Sequence, residues 1–171
     1  MIAPEYCQTM ARYNAWQNHS LYKAADGLDA AAREADTGAF WGGIRTTLAH
    51  LMWADLLWIA RFDGGAGPDV GAKEAVDAFG WTRLMRERPG LDARIAGWAW
   101  TATPEDLAGD ITWHSGFLGR DLTRSKALCV VQLFNHQTHH RGQVHAMLTA
   151  AGARPEDTDL PLMPEDVPEW H

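Results

Sequence analysis

Cysteine is scarce in this chain. Only Cys7 and Cys129 are present, too few for a disulfide framework, and two lone thiols suit a reducing, cytoplasmic setting. Basic residues are outnumbered: 15 Lys and Arg against 22 Asp and Glu give a formal charge of −7. That balance argues against a surface that displaces counterions from nucleic-acid phosphates, and against one that settles on anionic lipid. Long apolar runs are missing, and none approaches the stretch of about 18 residues that a transmembrane helix needs. The opening Met1-Ile2-Ala3-Pro4-Glu5-Tyr6 has neither a basic n-region nor an apolar h-region, so no secretory signal is expected. Internal repeats and low-complexity runs are absent as well. What remains is 171 residues, a length suited to one domain over 1–171 that buries about two thirds of its unfolded surface. Against this plain background stand nine Trp and eight His.

The apolar spacing predicts four long helical segments. The first runs from about Glu5 to Leu28 and the second from Gly43 to Phe62, where Asp63-Gly64-Gly65-Ala66-Gly67-Pro68 stops it. The third reaches from Lys73 to Thr101, with Pro89-Gly90 inside it. An interior Pro costs a helix about 3 kcal/mol, so a kink or break is expected there. Residues 104–122 read as a long connection with room for a small hairpin around Ile111-Thr112-Trp113. The fourth helix spans Thr123 to Ala151, capped by Thr123 or Ser125. Residues 153–171, with Pro155, Pro161, Pro164, Pro168 and six acidic residues, form an extended tail laid over the helices or reaching a partner. The expected fold is therefore all-α: a four-helix bundle with long 2–3 and 3–4 connections and a Pro-rich C-terminal tail. Trp81, Trp98 and Trp100 fill the core or face a second copy.

The densest chemistry lies in Asn135-His136-Gln137-Thr138-His139-His140-Arg141-Gly142-Gln143-Val144-His145. Four residues apart on a helix, His136 and His140 share a face, about 40° from each other. Taking that face as inward groups Cys129, Leu133, Val144 and Met147 with the pair, along with Gln132 and Gln143, and puts Phe134, Thr138, Arg141 and His145 on the opposite side. Two imidazoles at this spacing can converge on one transition-metal ion. A third ligand must come from another helix, and His50, on an apolar stripe with Trp53, Ala54 and Leu57, is the best placed. Taken alone, a His on such a stripe is more often a satisfied core residue than a ligand. His139 reads as a neighbour of the site. Gln143 or Asn14 can orient a ligand or bind substrate. Asp55 lies about 140° around its helix from His50 and should not face the ion. His19, His114, His145 and His171 read as incidental.

The Asn135–Gln143 stretch closely resembles the last core helix of the DinB-like (DinB/YfiT) metalloprotein superfamily. The His50 helix with Trp58 downstream, and Tyr13-Asn14-x-Trp16-x-Asn18, are also similar. The resemblance implies a four-helix bundle holding one divalent metal on His50, His136 and His140, most often zinc or nickel, and often a dimer. It also implies a small-molecule substrate. Some relatives carry out transfer or isomerisation with a low-molecular-weight thiol, and others look like hydrolases. The expected activity is thus thiol-dependent transfer or hydrolysis at an open metal position. The competing expectation is a non-catalytic metal-binding stress-response or structural dimer.

Overall fold

A computed structural model describes residues 2–166; the expectations for Pro168 and His171 fall outside them. The order is α1 (Pro4–Asp26), α2 (Ala30–Glu34), α3 (Ile44–Asp63), α4 (Ala72–Ala78), α5 (Trp81–Thr101), β1 (Asp110–Ser115), β2 (Arg120–Ser125), α6 (Lys126–Ala150) and a 3₁₀ turn at Leu160–Leu162. The described residues are mostly helical, with a small two-stranded antiparallel sheet among them, so the all-α expectation is corrected. Each of α1, α3, α5 and α6 packs on two of the others: α1 and α3 both touch α5 and α6. Leu21, Tyr22, Leu48, Met52, Leu84, Ile95, Leu133, Phe134 and Leu148 fill the space between them.

Local chemistry accounts for the boundaries. Pro4 opens α1, where its missing N–H is not needed. Gly64, in the left-handed conformation at φ 71°, ends α3. The third predicted helix is two helices, and the break falls at Phe79-Gly80 rather than at Pro89. Phe79 is fully buried there. Pro89 stays inside a continuous α5, because burial of Leu84, Arg88, Leu91, Asp92 and Ile95 along that helix outweighs one lost backbone hydrogen bond. The short helix α2 lacks the length to show a periodic signal, but Asp29 caps it by accepting from Ala32 N–H at 2.7 Å.

The 104–122 connection does contain a hairpin, longer than expected: β1 and β2 pair Trp113 with Leu122 and Thr112 with Thr123. Thr123 is therefore a strand residue, and Ser125, though at the N-cap of α6, makes no side-chain capping bond. Trp113 packs edge-on to Trp58 at 5.4 Å, with the Arg61 guanidinium over both rings. Trp98 stacks on Phe62, and Trp81 stacks on Tyr22. Of the three tryptophans in doubt between core and interface, only Trp100 is largely exposed, at 62%.

The described part of the tail lies along α1. Arg12 donates to the Pro164 and Glu165 carbonyls, Tyr13 to that of Thr158 and Gln17 to that of Asp157, while Trp16 Nε1 donates to the Glu156 carboxylate. Glu156 N–H donates to Ser20 Oγ at 2.8 Å. These α1 residues repeat at helical spacing, so one stripe of that helix is given over to the tail.

Inside the ring of helices sits a polar network. Arg88 on α5 donates to Asp55 of α3 at 2.7 Å and to Asp92 at 2.6 Å. Asp92 also accepts from Asn14 and Asn18 of α1 at 3.0 and 2.9 Å. Asp55 accepts from Gln137 of α6 at 3.0 Å, and Arg141 of α6 donates to Asn14. All of these residues are buried. Burial pushes the Asp55 and Asp92 carboxyls above the usual range, against the pull of Arg88. Burial also opposes the charge on Arg88, but Asp92 and Asp55 overcome it and hold its pKa above normal.

Removing Arg88 would strand two carboxylates in the core. Arg88→Ala should therefore cost about 3–5 kcal/mol in urea denaturation, whereas Arg12→Ala, on α1 where its side chain bonds the exposed tail, should cost no more than about 1 kcal/mol. Equal midpoints for Arg88→Ala and the native chain would refute this role for the network.

Candidate metal centre

The histidine cluster forms on one flank of the network. His50 comes from the middle of α3, and His136 and His140 from consecutive turns of α6. Their Nε2 atoms converge: His50 to His136 is 3.3 Å and His140 to His136 is 3.1 Å. Ligand atoms of all three lie within 4.8 Å of one another. His50 and His140 are buried, at 8% and 7% exposure, and His136 is partly buried.

This arrangement fits a cation for a chemical reason. Gln143 Oε1 lies 2.7 Å from His140 Nδ1; as an acceptor, it holds the proton on Nδ1 and leaves Nε2 a bare lone pair. That lone pair points at the other two imidazoles. Tetrahedral coordination at about 2.0–2.1 Å separates neighbouring ligand nitrogens by about 3.3–3.4 Å, close to the two spacings seen. The rings are also kept neutral, as ligands must be. Burial, then the charges of His140 and His136, pushes His50 down to about 3. Burial, then His140 and His139, pushes His136 down to about 4. Burial lowers His140 too, although Gln143 pulls the other way.

A scan of family models matches residues 1–169 to the DinB family. The chain belongs to the DinB family. It is also similar to a protein named DinB from Bacillus subtilis (strain 168), 25% identical over 165 residues that cover 92% of this chain and 93% of the relative. No solved structure matches. Among the described residues, no helix of this DinB-family chain is long and apolar enough to cross a membrane.

The other predicted site residues divide. Gln143 is at the cluster, hydrogen-bonded to His140. His139 is exposed and meets the His140 ring edge-on at 4.9 Å. Asn14 is not at the cluster. Its side chain is buried between Asp92 and Arg141 in the polar network, because α1 faces the far side of α6. Asp55 is likewise held by Arg88 and Gln137. Gln132, expected on the inward stripe, is exposed, while Phe134 and Arg141, expected opposite it, are buried. The buried face of α6 is thus rotated from the expected one and runs through Phe134, Gln137, Arg141, Val144 and Leu148, and the histidine pair lies along its edge. Among the others, His114 sits on β1 and contacts Asp121 at 2.9 Å, and His145 is partly buried.

Sequence reasoning missed Trp41. Its ring stacks on His50 with centroids 4.0 Å apart and planes 18° from parallel. A loop residue has no periodicity to reveal such a contact. It also missed Gln137 and Arg141 as core residues, since polar side chains dilute the apolar stripe that would have marked them.

The depressed histidine values carry a stability consequence. Both folded pKa values lie below the ordinary 6.5, so the unfolded chain binds protons first. The stabilisation is complete above about pH 6.5 and is lost as pH falls, down to about 4 for His136 and about 3 for His50. Metal-free protein should therefore unfold at progressively lower urea between pH 7 and 5, and His136→Gln should reduce that dependence. An unchanged pH slope in His136→Gln would count against the buried, neutral ring.

Proposed function

We propose that this DinB-family chain is a metalloenzyme that holds one divalent ion on His50, His136 and His140 and acts on a small molecule. The convergence of three Nε2 atoms, with the His140 tautomer set by Gln143, carries this reading. In it, the ring of four long helices is a four-helix bundle whose facing helices supply the ligands. Zinc or nickel suits three neutral imidazoles. A divalent ion held by these three histidines would supply Lewis acidity, with a coordination position left for an exogenous ligand.

The chain's own residues set what can happen there. Gln143 orients His140 and keeps its proton away from the ion. The carboxylate nearest in sequence to a ligand helix position, Asp55, is taken up by Arg88 and Gln137 and is not available as a general base. A nucleophile that needs little help in losing its proton is favoured, which supports thiol-dependent transfer over hydrolysis. A low-molecular-weight thiol is the proposed co-substrate, its thiolate displacing a leaving group from a small electrophile. The competing reading, a non-catalytic metal-binding stress-response or structural dimer, would be favoured by an open position capped by a fourth side chain or closed by the tail. The described tail is bonded along α1 instead. We retain a cytoplasmic location as part of this proposal, in keeping with two buried, free thiols, and a homodimer on the strength of the family resemblance.

Elemental analysis of freshly purified protein should find one divalent ion per chain. His50→Ala, His136→Ala and His140→Ala should each lose it, and His145→Ala should keep it. Gln143→Ala should bind about tenfold or more weakly. Purified protein without metal across several preparations would end the proposal. With metal present, a panel of thiols and a model electrophile should show chelator-sensitive thiol consumption, and hydrolysis without thiol would favour the other reaction class.

A further inference from the structure

The three ring systems of the cluster are not held alike. His140 has the usual support of a metal-binding imidazole, an acceptor on its remote nitrogen. His50 does not: its Nδ1 is buried and has no hydrogen-bond partner among the described residues. A ring with one free torsion at its end needs some other restraint if Nε2 is to point at His136. Trp41 is that restraint by position, lying nearly parallel over His50 at 4.0 Å.

The segment presenting Trp41 is built to stay in place. Thr37 N–H donates to the Gly42 carbonyl at 2.9 Å and Gly42 N–H to that of Ala39 at 2.8 Å. Gly38 N–H donates to Asp36 Oδ1 at 2.9 Å. The Thr37 hydroxyl lies 3.0 Å from Met147 Sδ on α6, and Gly43 N–H donates to Thr46 Oγ1 in the first turn of α3. Gly42 takes φ 88°, which a side chain would oppose. A Cβ on Gly43 would meet the Ala35 carbonyl oxygen at 2.4 Å, so only glycine lets the two ends of the turn close. The turn therefore touches both ligand-bearing helices, and its one half-buried aromatic covers His50, while Phe40 beside it is 83% exposed.

We infer that Trp41 is a positioning residue of the metal centre, orienting His50 by stacking where its neighbour His140 is oriented by a hydrogen bond. This rests on the three-His reading above. It requires a flat aromatic face at position 41 and not merely apolar bulk.

The test compares Ni²⁺ and Zn²⁺ affinities by chelator competition in the full chain and in Trp41→Phe and Trp41→Leu, alongside the thermal midpoint of each metal-free protein. Trp41→Phe keeps a stacking face and should bind within about threefold of the native chain. Trp41→Leu keeps apolar cover without the face and should bind about tenfold to a hundredfold more weakly. The two metal-free midpoints should match. Ni²⁺ should also quench the native tryptophan emission more than that of Trp41→Phe, since the indole nearest the ion has been removed. Equal affinities for Trp41→Leu and the native chain would overturn the inference while leaving the three-His centre standing. Loss of affinity in both variants in step with a lowered metal-free midpoint would assign Trp41 to packing and overturn it too. No binding by the native chain would remove both readings together.

Discussion

The Arg88 guanidinium joins what would otherwise be four separately packed helices. Its two carboxylate partners reach α3 and its own helix, and through Asp92, Asn14, Asn18 and Gln137 the same network reaches α1 and α6. Apolar packing is tolerant of small rotations and slides, because one Leu substitutes for another in a groove. A buried ionic network is not, since a shift that breaks one bond leaves a charge without a partner. With Asp55 and Asp92 set against Arg88 and Arg141, the formal charges balance. Arg141 is pushed down to about 10 by burial, and so still carries its proton at neutral pH.

That rigidity bears directly on the histidines. Gln137, which bonds Asp55, follows His136 by one residue, and Asp55 follows His50 by five. The α3–α6 cross-link thus flanks the place where the three histidines of the same two helices meet. A rotation of α6 by one residue's worth, about 100°, would exchange the edge position of the histidine pair for the buried position of Gln137. The network is therefore what selects between two faces that the apolar pattern alone leaves similar.

The same fact explains how much could be read from sequence. The long helices follow from apolar spacing, and His136 and His140 pair in the sequence because i, i+4 spacing on one helix is local geometry. His50, on another helix, stands out only as the best-placed histidine on an apolar stripe and through the family resemblance. The rotation of α6 could not. Leu133, Val144 and Met147 indicate the right side broadly, but the centre of the buried face is occupied by two polar side chains, Gln137 and Arg141, and the apolar pattern puts Arg141 on the opposite side. Arg88 and Asp92, four apart, have a spacing common to helical ion pairs, and nothing local marks them as buried. Asn14 could be picked out as important, yet its partners lie 78 and 127 residues away, and no local pattern reports a contact at that distance. Pro89 misled for the opposite reason: the rule against interior proline is local, while the packing that overrides it is tertiary.

Placing a fully neutralised ion network beside three neutral imidazoles separates two tasks. Charge that holds the helices together is confined to Arg88, Arg141, Asp55 and Asp92, all without useful exposure to solvent. The histidine cluster is left with neutral nitrogen donors, with the Gln143 amide bonded to His140 and the His139 ring beside it. An ion held there would keep its full positive charge, undiminished by an anionic ligand, and would draw an anionic partner more strongly than a site with a carboxylate in its ligand set. The same lack of a free carboxylate removes the usual acceptor for a proton from water. The commitment of Asp55 to Arg88 and Gln137 underlies the second consequence, and under the proposed function both would favour a nucleophile that arrives already close to its anionic form.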